Sequence, residues 1–499
     1  MKKISLAFYA LLCFSLCWPA MLQAQSSEEL VARLAAQEVR ADTLMLLNNE
    51  LKTVNTLMEA VNHTLTVNPD LEAIRFNRDT LHYEVKRAYG AYLPHVDITG
   101  GAGFAWKQEL QPNLPITGRD FTNRLQGGAS ISQLLFDGWR SASDIGTNEA
   151  TYDSVRNRFM DNAEVLSLDS AIAYLEVMRN RSLVDLAVNN VETHQTILAS
   201  LSERQDLGAG SAADVVQTQA RLSRAEATLE ETRSTSDISE ASFLRSVGAI
   251  PGEDMVYPDH PAGLVPPGLD SYILSTLENN PKIKAYVNDI EAAEYAASLA
   301  RSAFYPTFYL VGSANTDQWD SRNFQTNDFG VMLTMNWNLF SGGSDLNALQ
   351  AAVSRVRETK SGLRSLEYNL RQEAQATWRE YEATIRMVKL MEATVDYNNQ
   401  TREFYWEQFQ LGQRSLLDVL DAENEYFQSS SQLLTWKANE YVAIYRLAAL
   451  RGAFLPSLGV DPRLYEIDTL SIEGMDKDIA PIQGYRPDSL PVHFNVNMD

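Results

Sequence analysis

Asp418 and Asp421 stand three residues apart in the stretch Leu411-Gly-Gln-Arg-Ser-Leu-Leu-Asp-Val-Leu-Asp421, a spacing that puts both carboxylates on one helix face. Two acids so placed can attract cations, or they can serve the helix itself. Ser415-x-x-Asp418 reads as a capping box, and an acid in the first turn suits the helix dipole, so Asp418 is explained without any pore. Asp421 lies past that turn, which leaves a solvated face or a pore wall. Arg414 has the reach to pair with an acid on a neighbouring hairpin, or it is a solvated turn arginine. Gly412 can take the left-handed conformation that ends a helix. The same turn is written earlier, at Leu207 to Gln217, where Gly208, Ser211 and Asp214 match Gly412, Ser415 and Asp418 at an offset of 204.

Enzymatic chemistry finds little support. The histidines (His63, His82, His95, His194, His260 and His493) are scattered without metal-ligand spacing, and His194 falls on a heptad seam where packing explains it. The sequence holds no Gly-rich phosphate loop, Gly-x-Ser-x-Gly elbow or zinc motif. Both cysteines, Cys13 and Cys17, sit in an N-terminal segment where Lys2 and Lys3 precede an apolar run from Ile4 to Leu22. That segment reads as a signal peptide, residues 1–24, so the mature chain is expected to have no thiol and no cofactor bound through one. Of 42 basic and 65 acidic side chains, loss of Lys2 and Lys3 leaves 40 and 65, a formal charge of −25 that repels nucleic acid.

The doubled turn belongs to a longer repeat. Phe136-Asp137-Gly138 falls on Phe340-Ser341-Gly342, and Gly248-Ala249 on Gly452-Ala453, at the same offset of 204. Asn68-Pro69 falls on Asn280-Pro281 and Pro94 on Pro306 at an offset of 212, so the first copy holds eight extra residues between Pro94 and Phe136. The chain therefore divides into a first repeat, 56–251, and a second, 268–456. A helical extension at 25–55 and an aperiodic tail at 457–499 flank them.

Each repeat opens with two alternating segments, expected as strands near 95–107 and 123–136, then 307–316 and 328–340. Val96, Ile98, Phe104 and Trp106 recur with period two, as do Phe329, Val331, Leu333 and Met335, and in the last strand Thr334, Asn336 and Asn338 stand between the apolar residues, giving one greasy and one polar face. A soluble sandwich strand alternates in the same way. The 9 to 11 residues and the terminal aromatics suit a tilted membrane strand better. The polar segments Lys107 to Thr122 and Asn315 to Asp328 read as loops.

Long proline-free helices follow, near 141–207 and 343–411, each returning through a shorter one near 211–248 and 415–451. Apolar residues recur at spacings of four and three, as at Leu363, Leu370, Ala374, Tyr381 and Val388, which predicts coiled-coil packing rather than a globular core. At 1.5 Å per residue the long helices reach about 100 Å. Four strands cannot close in lipid, since open edges leave backbone groups unsatisfied. The chain must oligomerise, and periodicity fits a dimer of eight strands or a trimer of twelve.

In order, these motifs resemble the outer-membrane efflux, or TolC-type, family over residues 55 to 456. They are Asn-Pro before a helix, Pro before a strand pair, Phe-x-Gly after it, a long helix, and a tip reading Gly-x-Arg-Ser-Leu-Leu-Asp-Val-Leu-Asp. The resemblance implies an α+β membrane protein in the outer membrane with a helical tunnel in the periplasm. Four β-strands per chain would join a twelve-stranded transmembrane β-barrel shared by a homotrimer. It implies a periplasmic adaptor protein and an inner-membrane ABC transporter or other pump as partners. The string from Glu407 to Glu425 looks most like the type I secretion branch, with multidrug or metal efflux as the other cargo and a secreted coiled coil without a pore as the other class. On this resemblance Asp418 and Asp421 form acidic rings at the periplasmic entrance, and their mutual repulsion would raise their pKa values. Arg414 would tie the tip to Asp214. Phe409 stands where the family often has tyrosine, which removes one hydroxyl from that latch.

Overall fold

The structure, a computed structural model, describes residues 52–106, 121–207, 211–319 and 324–461. The expected signal peptide, nearly all of the flanking extension and tail, and Gly208 lie outside them. In the first repeat β1 (Thr53–Val54) precedes α1 (Leu57–Val67), α2 (Pro69–Tyr89), β2 (His95–Trp106) and β3 (Phe121–Phe136). Next come α3 (Arg140–Asp206), α4 (Ala212–Val247) and β4 (Ile250–Pro251). The second repeat runs α5 (Leu269–Asn279), α6 (Pro281–Ser302), β5 (Thr307–Trp319), β6 (Phe324–Asn336), α7 (Ser344–Gln410), α8 (Leu416–Leu450) and α9 (Phe454–Ser457).

The duplication is visible residue by residue. α3 and α7 are both 67 residues long and begin 204 apart. Asn68 and Asn280 cap α2 and α6, each side chain accepting the N–H two residues on at 2.9 Å, with a proline at the first helical position. At the strand-to-helix turn the copies swap chemistry. Asp137 accepts from Ser141 N–H at 2.8 Å, whereas Ser341 occupies the matching place and pairs with the Asp345 carboxylate. Gly138 and Gly342 both adopt positive φ there, +68° and +67°.

The sheet order is β2-β3-β5-β6, antiparallel throughout. Its register aligns the apolar series across all four strands: Ile98 faces Ala129, Ala129 faces Ala314, and Ala314 faces Phe329. Val96, Ile98, Leu125, Phe329, Val331 and Leu333 are all exposed on this one face. The second strand pair is longer than its alternation predicts. Asn315 to Trp319 pair with Phe324 to Asp328 in continuous register, so residues expected as loop are ladder, and β6 ends at Asn336 rather than 340. The apolar pattern marks only the part of a hairpin that meets apolar surroundings, and backbone pairing continues past it in polar sequence.

The helices stack side by side, and two lateral orders occur. Near the strands it is α2, α3, α6, α7; towards the hairpin tips it is α4, α3, α8, α7. Among the described residues, one side at each level ends on the first repeat (β2, α2, α4) and the other on the second (β6, α7).

Two expectations need correction. The middle of α3 is not simply coiled-coil seam. Phe159, Tyr174, Leu175 and Val177 enter a true core with Leu57, Val61 and Leu65 of α1, Phe243 of α4, Tyr445 of α8 and Phe454 of α9. Close packing around a large buried side chain overrides the helical repeat there, and the Tyr174 hydroxyl lies 2.7 Å from both the Asn55 and the Val256 carbonyl, either of which can accept its one proton. The second is the N-terminal extension, expected as helix to residue 55. Thr53 and Val54 are instead a strand paired in parallel with Ile250 and Pro251, and the helix starts only after the Thr56 cap.

Candidate functional site

Charged and polar side chains gather in two places: the polar face of the sheet and the hairpin tips. Opposite the apolar face, Asp97, Ser130, Ser313, Asn315 and Thr334 share the other face along the register. Arg124 of β3 grips Asp317 of β5 there through two bonds of 2.8 Å, Nε to Oδ1 and Nη2 to Oδ2. Such a bidentate fork holds both groups in one orientation across the two repeats.

At the tip, Gly412 takes φ +73°. Its N–H donates to Phe409 O at 3.0 Å and Gln413 N–H to Gln408 O at 2.8 Å, the paired bonds that close a helix at a left-handed glycine. Ser415 then caps α8, accepting Asp418 N–H at 3.3 Å. Ser211 caps α4 differently, accepting from Ala213 N–H at 3.2 Å. The Ser415 hydroxyl also donates to Asp418 Oδ2 at 2.8 Å, and this bond, helped by the Ser415 backbone N–H and Arg414, holds the Asp418 carboxyl below its ordinary range. Within one chain its pKa therefore moves opposite to the rise expected from neighbouring carboxylates.

Arg414 does not reach Asp214 within the chain. Its guanidinium lies 4.0 Å over the Tyr405 ring, 3.1 Å from Gln408 Oε1 and 3.6 Å from Asp418, so all of these partners belong to its own hairpin. The turn is too tight to release it: Tyr405, one helical turn before Gln408, sits directly beneath the arginine and captures its flat face.

What joins the two hairpins is different, and sequence reasoning missed it. Arg221 of α4 donates to Asp421 Oδ1 of α8 at 3.0 Å. Arg204 of α3 lies 5.0 Å over the Phe409 ring of α7. Beneath them Ile197 and Leu201 of α3 pack with Leu416 and Leu420 of α8, with Val215 of α4 and Trp406 of α7 alongside. The tip is thus one four-helix unit with an apolar centre. A signal for Arg221 exists in the repeat register, where it matches Glu425, so a base and an acid occupy equivalent positions. Further up, Arg402 lies 4.3 Å over Tyr426 and 3.7 Å from the buried Glu423, whose carboxyl burial pushes above its ordinary range.

No group of three or more His, Cys, Asp or Glu among the described residues is arranged to hold a metal ion. Among the same residues, no helix is long and apolar enough to cross a membrane.

The pattern of the outer membrane efflux protein family matches residues 60–249 and 273–453, the two repeats. The chain is 23% identical over 403 residues to the outer membrane efflux protein BepC of Brucella suis, spanning 79% of this chain and 84% of that one. It is 25% identical over 396 residues to the alkaline protease secretion protein AprF of Pseudomonas aeruginosa, spanning 73% and 78%. In three dimensions it resembles CusC, with a TM-score of 0.69 at 16% identity over 80% of this chain and 92% of that chain. It resembles the outer membrane protein VceC of Vibrio cholerae with a TM-score of 0.67 at 16% identity, covering 80% and 96%. Both repeats, their strand pairs and their long hairpins are thus accounted for by one architecture, and the chain belongs to the outer membrane efflux protein family, whose members are channels of the outer membrane.

Proposed function

We propose that the chain is one third of a trimeric exit duct for type I protein secretion, spanning the outer membrane as a shared twelve-stranded barrel and the periplasm as a helical tunnel. The observation that carries the duct is the pair of unsatisfied edges. Among the described residues β2 and β6 each pair with a single strand, while their apolar faces are exposed. In lipid such a sheet must close through other copies, and β6 against the next copy's β2 continues the antiparallel order. The helical edges follow the same logic. Leu390, Tyr397, Phe404 and Leu411 form an exposed heptad stripe along α7, the face that the next copy's α4 side would cover. Asp418 and Asp421 would then surround the axis of the tip as the gate.

The secretion route is supported by the tip string from Glu407 to Glu425 and by similarity to AprF. Similarity to a toluene efflux pump outer membrane protein, TtgF of Pseudomonas putida, favours the second reading, a drug or solvent duct. In either case the duct would need a periplasmic adaptor and an inner-membrane pump to supply energy, an ABC transporter on the first reading. Deleting the gene separates the routes. Loss of a large secreted protein from the medium with unchanged drug sensitivity supports secretion; the reverse outcome sinks it.

A further inference from the structure

We propose that Arg221 sets both the closure and the charge of the tip, screening Asp421 while the hairpins are together and exposing it when they part. The inference rests on the duct reading and deepens it. Four observations carry it. Arg221 and Asp421 lie on the two returning helices, one from each repeat, and meet at 3.0 Å across the end of α3. α4 and α8 otherwise share little contact, so this pair is where the two hairpins hold each other by charge. Asp418 is already engaged within its own hairpin by Ser415 and Arg414, which leaves Asp421 as the acid whose partner comes from the other repeat. Both members are partly solvated, with side-chain exposures of 31% and 54%, so the tie is weak and reversible, as a gate requires.

The consequence concerns selectivity. A closed tip carries Asp421 as half of a neutral pair. When the hairpins separate, Arg221 leaves with α4, and one carboxylate per chain becomes unscreened at the constriction. Opening and cation attraction are therefore a single event. The Arg204 contact with Phe409 supports the same hinge line, since it also joins the first hairpin to the second, and it uses a ring face that needs no hydroxyl.

The test uses the full-length chain purified from outer membranes and reconstituted in planar bilayers, reading single-channel conductance and the potassium-to-chloride permeability ratio. Arg221→Gln should raise conductance several-fold and raise the ratio, because it unties the tip and bares Asp421. Asp421→Asn should raise conductance and lower the ratio. The exchange Arg221→Asp with Asp421→Arg should restore the low conductance of the original chain, which also guards against a trivially misfolded single variant. If Arg221→Gln leaves both readouts unchanged, or if the exchange stays as open as the singles, the proposal is overturned while the duct reading stands. An unaltered chain that forms no channels at all overturns the duct reading and this proposal with it.

Discussion

At the residue scale, identical letters have different duties. Asp418 is consumed by its own helix start, while Asp421, one turn on, is shared between repeats through Arg221. Phe409 shows the converse, a hydroxyl missing yet the ring still employed, because a guanidinium can rest on an aromatic face. Glu164 is the least comfortable acid. It is buried on α3 where α9 docks, its carboxylate accepts Leu455 N–H at 3.3 Å, and burial pushes its pKa up to about 8. The folded chain therefore keeps a proton between pH 4.5 and about 8 that the unfolded chain has released. Stability contributed by that proton is full below the lower value and falls as pH rises through the window. Glu164→Gln should remove this slope. Its melting temperature at pH 8 should exceed that of the unaltered chain by an amount worth a few kcal/mol, since each pKa unit is about 1.4 kcal/mol, and the gap should close at pH 4.5. Parallel melting curves for the two chains across that range would sink the assignment.

At the scale of elements, the strand pairs work because register and alternation agree. Leu333 stands on the exposed apolar face opposite Leu310, and Thr334 on the other, its hydroxyl donating to Tyr309 O at 3.3 Å. Leu333→Arg should block assembly in the outer membrane, since a charge near the middle of the bilayer costs about 2 to 4 kcal/mol on a lipid face. Thr334→Arg should assemble, and equal yields of membrane-inserted protein would place the lipid elsewhere. The turn from strand to long helix gives a second test. A Cβ on Gly138 would lie 2.5 Å from Tyr305 Cβ, whereas one on Gly342 would meet open space. Both glycines have positive φ, so alanine at either costs about 1 to 2 kcal/mol of left-handed strain, but only Gly138→Ala must also displace Tyr305 and the end of α6 at Ser302. Yield of folded protein should therefore fall further for Gly138→Ala than for Gly342→Ala.

At the scale of the whole molecule, the edges decide. Among the described residues each layer ends in an element with a neighbour on one side only, and the stripe Leu390, Tyr397, Phe404 and Leu411 is 58% to 73% exposed. Burying such a side chain contributes about 1.5 to 3 kcal/mol, so a stripe of four is ample to order neighbouring copies. On the trimeric reading proposed above, Tyr397→Glu with Phe404→Glu should convert trimers to monomers in native mass spectrometry while leaving the helical content unchanged. Trimers that survive both substitutions would move the contact to another face of α7.

The sequence by itself determined what is local or periodic. Duplication, strand faces, long helices, the capping serines and the left-handed Gly412 all follow from spacing and from backbone geometry that few residues tolerate. The resemblance of the ordered motifs supplied the family. Tertiary structure decided which side chains meet across elements. Tyr405 holds Arg414 because the turn folds the arginine back over its own helix, and Arg221 finds Asp421 because α3 sets α4 and α8 at the same height. A helical repeat fixes which face a residue occupies but not the axial register between helices from different repeats, and an ion pair requires both.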